Sequence, residues 1–230
     1  MQTHLWKSEN LNFRLAEHGK YSMTNYYEEY NPTFPSRADW NSPTVLRERA
    51  RRHPDKIYLD IPWANESFSY AETLEIAERV GSGMLAAGAT PGDRLLIMIP
   101  NCSAYILAWL GSSLGGLVEV PINTAYRGAF LAHQVSTTTP SIAVVSPEYV
   151  DRILDVSDAF SSVKHFYLVG DEEDVISGID KLANNGMGAS PWSDLLSSEI
   201  TDLPEVKYSD LGSIFFTSGT TGLSKGVMMP

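Results

Sequence analysis

Residues 213–226 read SIFFTSGTTGLSKG, an apolar run followed directly by small hydroxylated residues, glycines and a lysine. Glycines let the backbone adopt positive φ and approach an anion closely. Successive amide N–H groups can then form a concave nest for phosphate oxygens, and hydroxyl groups add donors that rotate toward the ligand. A flexible linker is the alternative, but linkers seldom follow an apolar run such as residues 213–216, which we expect to form a buried strand. The segment therefore predicts a strand that leads into a phosphate-binding loop, residues 217–225.

This loop does not follow the Walker A pattern, which has two glycines five positions apart, then lysine, then serine or threonine. Five positions after Gly219 stands Ser224, and Gly226 follows the lysine. Residues 227–230, VMMP, predict a strand rather than the helix that a Walker A loop precedes. The sequence therefore argues against a helix-dipole phosphate site of the kinase or GTPase type.

The charge balance restricts the partners of the chain. Its 230 residues include 28 acidic and 17 basic side chains, a formal net charge of −11. Such a charge repels the phosphates of nucleic acids and of anionic lipids, so we expect neither as a partner. ATP is compatible with this charge, because a local cluster of donors can bind an anion inside a negative field.

Composition also predicts a cytoplasmic protein. The chain has one cysteine, Cys102, so a disulfide framework within the chain is excluded and a reducing compartment is favoured. We expect Cys102 to be a packed or helix-start thiol. Residues 1–30 contain no continuous apolar stretch, and the longest apolar segment, residues 105–120, is broken by serines and glycines. We therefore expect neither a secretory signal nor an integral membrane segment.

Alternating strand and helix patterns predict an α/β fold with mostly parallel sheets and flanking helices. Apolar runs predict strands at residues 56–61, 68–70, 94–99, 117–122, 141–145 and 165–169. Helical spacing predicts helices at residues 42–52, 71–87, 103–114, 128–137 and 150–156. Residues 170–208 interrupt this alternation, and we expect them to form a solvent-exposed excursion with one short helix near residues 192–196.

The chain divides into two predicted regions. Residues 1–41 are rich in aromatic residues and contain Pro32 and Pro35, which exclude one continuous helix. We expect this region to be an amino-terminal arm that covers apolar surface elsewhere. Residues 42–230 then form the domain that ends just after the phosphate loop.

Residues 216–227, FTSGTTGLSKGV, resemble the signature loop of the adenylate-forming superfamily, which includes acyl-CoA synthetases, luciferases and peptide-synthetase adenylation domains. The usual pattern has proline just before the lysine, and here Ser224 stands in that position. The resemblance extends upstream to residues 42–230, and residues 123–128, NTAYRG, are more similar to acyl-CoA synthetases than to peptide-synthetase domains. The chain therefore resembles the amino-terminal part of an acyl-CoA synthetase, an enzyme of fatty acid metabolism.

The resemblance implies a two-step ligase reaction. A small-molecule carboxylate attacks the α-phosphate of Mg-ATP to give an acyl-adenylate and pyrophosphate, and the thiol of coenzyme A then displaces AMP. By resemblance, Lys225 and Thr217 are the catalytic residues, and Lys225 neutralises the departing pyrophosphate. The residues that would bind the β- and γ-phosphates are Thr217, Ser218, Gly219, Thr220, Thr221 and Gly222. We assign no protein metal ligand, and we expect Mg2+ to arrive with ATP.

Several alternatives remain open at the level of sequence. Family members are more than twice as long as this chain, so we expect an amino-terminal piece that is inactive alone, with exposed apolar surface and a tendency to form a homodimer. The chain could instead belong to a luciferase-like or peptide-synthetase-like adenylating enzyme, or be a non-catalytic nucleotide-binding module. Arg127 could reach a phosphate or a carboxylate, or pair with Glu119 or solvent. We interpret His133 as a packed or surface histidine.

Overall fold

The structure is a computed structural model that describes residue 34, residues 36–217 and residues 224–230. The chain divides into two units, Met1–Asp39 and Trp40–Pro230. In the first unit the described residues include one 3-10 helix, Arg37–Asp39. Most of the predicted amino-terminal arm lies outside the described residues, so its role stays a prediction. The rest of this section concerns the second unit.

The second unit alternates strands and helices along the chain. Its strands are β1 (Ile57–Ile61), β2 (Glu66–Ser69), β3 (Arg94–Met98), β4 (Val118–Pro121), β5 (Ile142–Val145), β6 (His165–Leu168), β7 (Ala189–Pro191), β8 (Ser213–Thr217) and β9 (Lys225–Met229). Its α-helices are α1 (Ser42–Arg52), α2 (Tyr70–Ala86), α3 (Ser103–Leu114), α4 (Gly128–Thr138), α5 (Val150–Leu154), α6 (Glu172–Asn184) and α7 (Ser193–Leu196). Short 3-10 helices lie at Pro62–Ala64, Pro147–Tyr149 and Ser157–Phe160.

Strands β3 to β9 form a seven-stranded sheet in the order β7-β6-β5-β3-β4-β8-β9. Neighbouring strands from β7 to β8 run parallel, and only the edge pair β8–β9 is antiparallel. Strands β1 and β2 form a separate antiparallel pair. The predicted fold class, an α/β fold with a mostly parallel sheet and flanking helices, is confirmed.

Strand β3 shows why the sheet has helices on both faces. Its side chains alternate between two apolar clusters, with Leu96 and Met98 in one and Leu95 and Ile97 in the other. Residues of α4, α5 and α6 complete the first cluster, and residues of α2, α3 and α7 complete the second. A strand covered on both faces must be apolar throughout, which is the pattern that the sequence gives to residues 94–99.

Helix α2 begins where the sequence predicts a capping box. The Ser69 hydroxyl accepts a hydrogen bond from the Glu72 backbone N–H at 3.2 Å. The Glu72 carboxylate in turn accepts from the Ser69 N–H at 2.8 Å. The two bonds satisfy donors that the first turn of a helix leaves unpaired. Helix α3 begins at Cys102, its N-cap residue, as expected of a helix-start thiol.

The exposed excursion predicted for residues 170–208 is wrong in its first half. Helix α6 packs on the sheet through buried Val175 and Leu182, and β7 extends the sheet by pairing with β6. The polar composition of residues 171–174 and the glycines and asparagines of residues 184–188 hid a helix with a narrow apolar stripe. The short helix expected near residues 192–196 is present as α7.

The burial predicted for residues 213–216 is also wrong. Phe215 is 44% exposed, and its neighbours in β8 are only partly buried. The cause is the position of β8 near one edge of the sheet, where the exposed strand β9 is its outer neighbour. Among the described residues, no helix is long and apolar enough to cross a membrane.

Candidate functional site

Strands β8 and β9 form a hairpin that holds both described ends of the predicted phosphate loop. Thr217 at the end of β8 lies opposite Lys225 at the start of β9. Both residues are exposed. The strand predicted after the lysine is therefore confirmed, and the hairpin brings together the two residues that the sequence singles out as catalytic. Ser218, Gly219, Thr220, Thr221 and Gly222 lie outside the described residues, and their phosphate contacts stay predictions.

The hairpin ends at the carboxyl edge of the parallel sheet. Strand β8 runs parallel to β4, with Ser213 opposite Glu119, so Thr217 lies toward the carboxyl ends of these strands. The predicted family segment at residues 123–128 follows β4 at the same edge. In open α/β sheets ligands bind outside the carboxyl ends of the strands. The loop is therefore connected to the sheet at the edge where this fold class binds its ligands.

Helix α4 contacts the base of the loop through two neighbouring side chains. His133 Nε2 lies 2.9 Å from the backbone carbonyl oxygen of Ser224. A carbonyl oxygen can only accept, so the His133 Nε2 carries the hydrogen of this bond. The Gln134 side-chain amide donates to the Ser224 hydroxyl at 3.1 Å. The interpretation of His133 as a packed or surface histidine therefore misses its contact with the residue next to Lys225.

The His133 ring also contacts strand β8. It meets the Phe216 ring edge-on, with centroids 6.4 Å apart and an interplanar angle of 69°. These contacts could not be predicted from the sequence, because 91 positions separate His133 from Ser224. Only the parallel pairing of β4 with β8 brings α4, which follows β4, next to the hairpin.

A buried carboxylate anchors the start of β8. Glu119 on β4 is 4% exposed, and its side chain accepts hydrogen bonds from the Tyr105 hydroxyl at 3.0 Å and the Ser213 hydroxyl at 3.1 Å. Burial raises the pKa of Glu119, and these two hydrogen bonds lower it in part. Burial, followed by the nearby Glu119 charge, raises the pKa of the Tyr105 hydroxyl.

Arg127 takes no part in this anchor. It is the N-cap residue of α4 and is exposed, so the alternative in which it pairs with Glu119 is wrong. Within the described ranges, no group of three or more His, Cys, Asp or Glu side chains is placed to hold a metal ion.

A mostly parallel sheet with helices on both faces defines an open α/β protein, the class in which ligands bind at the carboxyl edge of the sheet. The sequence makes the assignment narrower. The chain belongs to the AMP-binding enzyme family, which it matches over residues 46–230.

Curated relatives of the chain are CoA ligases. The 4-coumarate–CoA ligase of Vanilla planifolia is 29% identical over 167 residues, which are 72% of this chain and 28% of the relative. The crotonobetaine/carnitine–CoA ligase of Salmonella agona (strain SL483) is 28% identical over 166 residues, 70% of this chain and 30% of the relative. The chain thus spans less than a third of the length of either relative.

Solved structures of the same fold include the inhibitor-bound N-terminal domain of FACL13 from Mycobacterium tuberculosis. This structure matches with a TM-score of 0.66 and 26% identity, and the match covers 82% of this chain and 44% of that domain. The A-PCP didomain of carboxylic acid reductase from Segniliparus rugosus, in complex with AMP, has a TM-score of 0.71 at 20% identity, covering 86% of this chain and 32% of that chain. The second match concerns the fold alone.

Proposed function

We propose that residues 217–225 bind the polyphosphate of ATP, and that the chain supplies this part of an AMP-forming acid–thiol ligase. The enzyme would convert a carboxylate and ATP to an acyl-adenylate and pyrophosphate, and then to a CoA thioester. The observation that carries the proposal is the hairpin, in which Lys225 lies opposite Thr217 at the carboxyl edge of the sheet. Its exposed cation and hydroxyl can both reach an anion there.

The proposed role of these residues is to stabilise negative charge on the phosphates. Phosphoryl oxygens gain charge as pyrophosphate leaves, and a fixed cation with several donors stabilises that charge. The Lys225 ammonium is a compact charge on a flexible stem, so it can follow the departing group. The loop N–H groups and hydroxyls would hold the β- and γ-phosphates, as the family resemblance implies. Mg2+ would arrive with ATP.

The relatives favour the acid–thiol ligase over the other adenylating enzymes. Both curated relatives described above are named as CoA ligases. Coenzyme A is therefore the proposed thiol substrate of the second step, and the carboxylate is proposed only as a chemical class. Cytoplasmic location and a homodimer stay predictions. Such a dimer would bury the exposed apolar side chains of the hairpin, Phe215, Val227, Met228 and Met229.

Replacing Lys225 tests the proposal directly. Lys225→Ala removes the cation from an exposed position, so we expect normal folding and an affinity for inorganic pyrophosphate or ATP at least tenfold lower, the scale of one charge-assisted hydrogen bond of about 1.5–3 kcal/mol. Isothermal titration of the 230-residue chain measures this loss. Lys207→Ala is the matched control, because Lys207 is also exposed but lies outside the hairpin. Equal affinities of the two variants would contradict the proposal.

A further inference from the structure

Ser224 is the residue at which the loop departs from the family pattern, and it is also the residue that α4 holds. We propose that His133 and Gln134 are positioning residues, which fix Ser224 and thereby orient Lys225. In this chain their hydrogen bonds replace the restraint that a proline gives at the same position. The inference rests on the proposed function, because positioning matters only if Lys225 binds phosphate.

Gln134 is the more constrained of the two residues. Its side chain is 1% exposed, and its amide N–H donates to the Ser224 hydroxyl. A buried polar group left without a partner is costly, so this donor favours keeping its bond to Ser224. The bond therefore restricts the rotation of the Ser224 side chain and the position of its backbone.

His133 holds the same residue through the main chain. Its Nε2–H donates to the Ser224 carbonyl, while its ring rests against Phe216 of β8. The two bonds from α4 thus reach both the hydroxyl and the carbonyl of one residue. Lys225 follows directly and opens β9, so a restraint on Ser224 limits the directions in which the lysine side chain can leave the strand.

A proline would restrain this position by a different route. Its ring fixes φ at about −65°, whereas serine is free to rotate and loses more backbone entropy when it is ordered. Ser224 directly precedes Lys225, the first paired residue of β9. Ser224→Pro keeps the carbonyl that His133 binds and removes the hydroxyl that Gln134 binds.

This difference gives a test in two backgrounds. We would titrate inorganic pyrophosphate into the 230-residue chain carrying Gln134→Met, alone and together with Ser224→Pro. In the serine background we expect a severalfold loss of affinity, and in the proline background a change of less than twofold. Ser224→Ala removes the same hydrogen bond from the loop side, so its loss of pyrophosphate affinity should equal that of Gln134→Met. This second variant keeps the test usable if the buried Gln134→Met substitution prevents folding. Equal losses from Gln134→Met in both backgrounds, or full affinity in Ser224→Ala, would overturn the role of Gln134.

Substitution of His133 should affect pyrophosphate affinity whether residue 224 is serine or proline. His133→Phe keeps a ring against Phe216 and removes the N–H donor, so we expect a severalfold loss of affinity in both the serine and the proline backgrounds. Unchanged affinity in both would overturn its role. Ser136→Ala is the control for a hydroxyl-to-methyl change in the same helix, because Ser136 is an exposed residue of α4.

Hydrogen exchange separates this inference from the proposed function. If the unmodified chain binds no pyrophosphate, the proposed function is wrong, and exchange of the backbone amides of Lys225 and Gly226 without ligand decides the structural claim. In the chain with Ser224, we expect Gln134→Met to speed this amide exchange. In the chain that carries Ser224→Pro, we expect Gln134→Met to leave the exchange unchanged. Identical exchange with and without Gln134 in the serine background would overturn the inference.

Discussion

Glu119 is a carboxylate held inside the sheet, and it joins three elements. Its side chain lies on β4 and receives hydrogen bonds from Tyr105 on α3 and Ser213 on β8. A buried charge is costly unless hydrogen bonds compensate it, and here two hydroxyl donors do so in part. Because burial has the larger effect, the pKa of Glu119 is raised above 4.5. Folding therefore disfavours ionisation of Glu119 relative to the unfolded chain.

This shift predicts a pH-dependent stability. A group with a raised folded pKa contributes its full stability below the unfolded pKa, and loses it as pH rises through the folded pKa. We expect Glu119→Gln to match the unmodified chain near pH 4 and to gain in relative stability as pH rises through the raised pKa. Urea unfolding at a series of pH values measures the difference. Glu205→Gln, the same change at an exposed position, is the matched control. A pH-independent difference between Glu119→Gln and the unmodified chain would contradict the raised pKa of Glu119.

Some residues around the candidate site could be predicted from the sequence, and others could not. The positions of Thr217 and Lys225 at the two ends of one loop were predictable, because glycines, hydroxyls and a lysine cluster locally. Their catalytic roles are implied by the family resemblance and stay predictions. His133 and Gln134 were not predictable, because nothing near them in sequence indicates a partner some 90 positions away. A helix that packs on a parallel sheet contacts strands that lie far along the chain. The order of the strands in the sheet decides which strands the helix contacts.

Among the elements, α2 and α3 approach each other at two glycines. A Cβ added at Gly111 would lie 2.5 Å from a methyl carbon of Val80, and one added at Gly81 would lie 2.6 Å from the Gly111 carbonyl oxygen. Real Cβ atoms essentially never come this close, so the glycines permit the contact. The close pair covers one face of β3, where Leu95 and Ile97 lie.

Gly111→Ala should therefore destabilise the chain. Overpacking costs about 1–3 kcal/mol, and the better helix propensity of alanine offsets up to about 1 kcal/mol of it. We expect a net loss of roughly 1–2 kcal/mol in the free energy of unfolding, measured with urea. Gly212→Ala is the matched control, since its nearest new neighbour would lie at an ordinary 3.6 Å. A loss no larger than that of the control would contradict the tight helix contact.

Elements were predictable where their hydrophobic period was strong. Helix α1 begins and ends at the predicted residues, Ser42 and Arg52, because the first-turn proline Pro43 marks its start. Its N-cap is Asn41, whose side chain accepts from the Thr44 N–H, and not Ser42 as the sequence suggested. Helix α6 was missed because three acidic residues in its first turn and a narrow apolar stripe give a polar composition. The burial of β8 was misjudged because an apolar strand does not reveal whether it lies at the centre or near the edge of its sheet.

For the chain as a whole, binding of phosphate and catalysis of adenylation have different structural requirements. The described hairpin presents an exposed cation and an exposed hydroxyl, which we propose bind phosphate. Adenylation also requires the carboxylate and the α-phosphate to be held in line. The chain corresponds to 28% and 30% of the two CoA ligases compared above. Positioning of the second reactant is therefore expected to depend on parts of those enzymes that this chain does not match.

We accordingly expect the 230-residue chain to bind pyrophosphate without catalysing pyrophosphate–ATP exchange. The assay would supply 4-coumarate or crotonobetaine, acids named for the relatives, with a purified 4-coumarate–CoA ligase as the positive control. The Lys225→Ala chain sets the background, because it lacks the proposed phosphate cation. Exchange above that background would show that residues 1–230 already hold a carboxylate in line with ATP. The positioning of both reactants would then have to be sought within this chain, beside the hairpin.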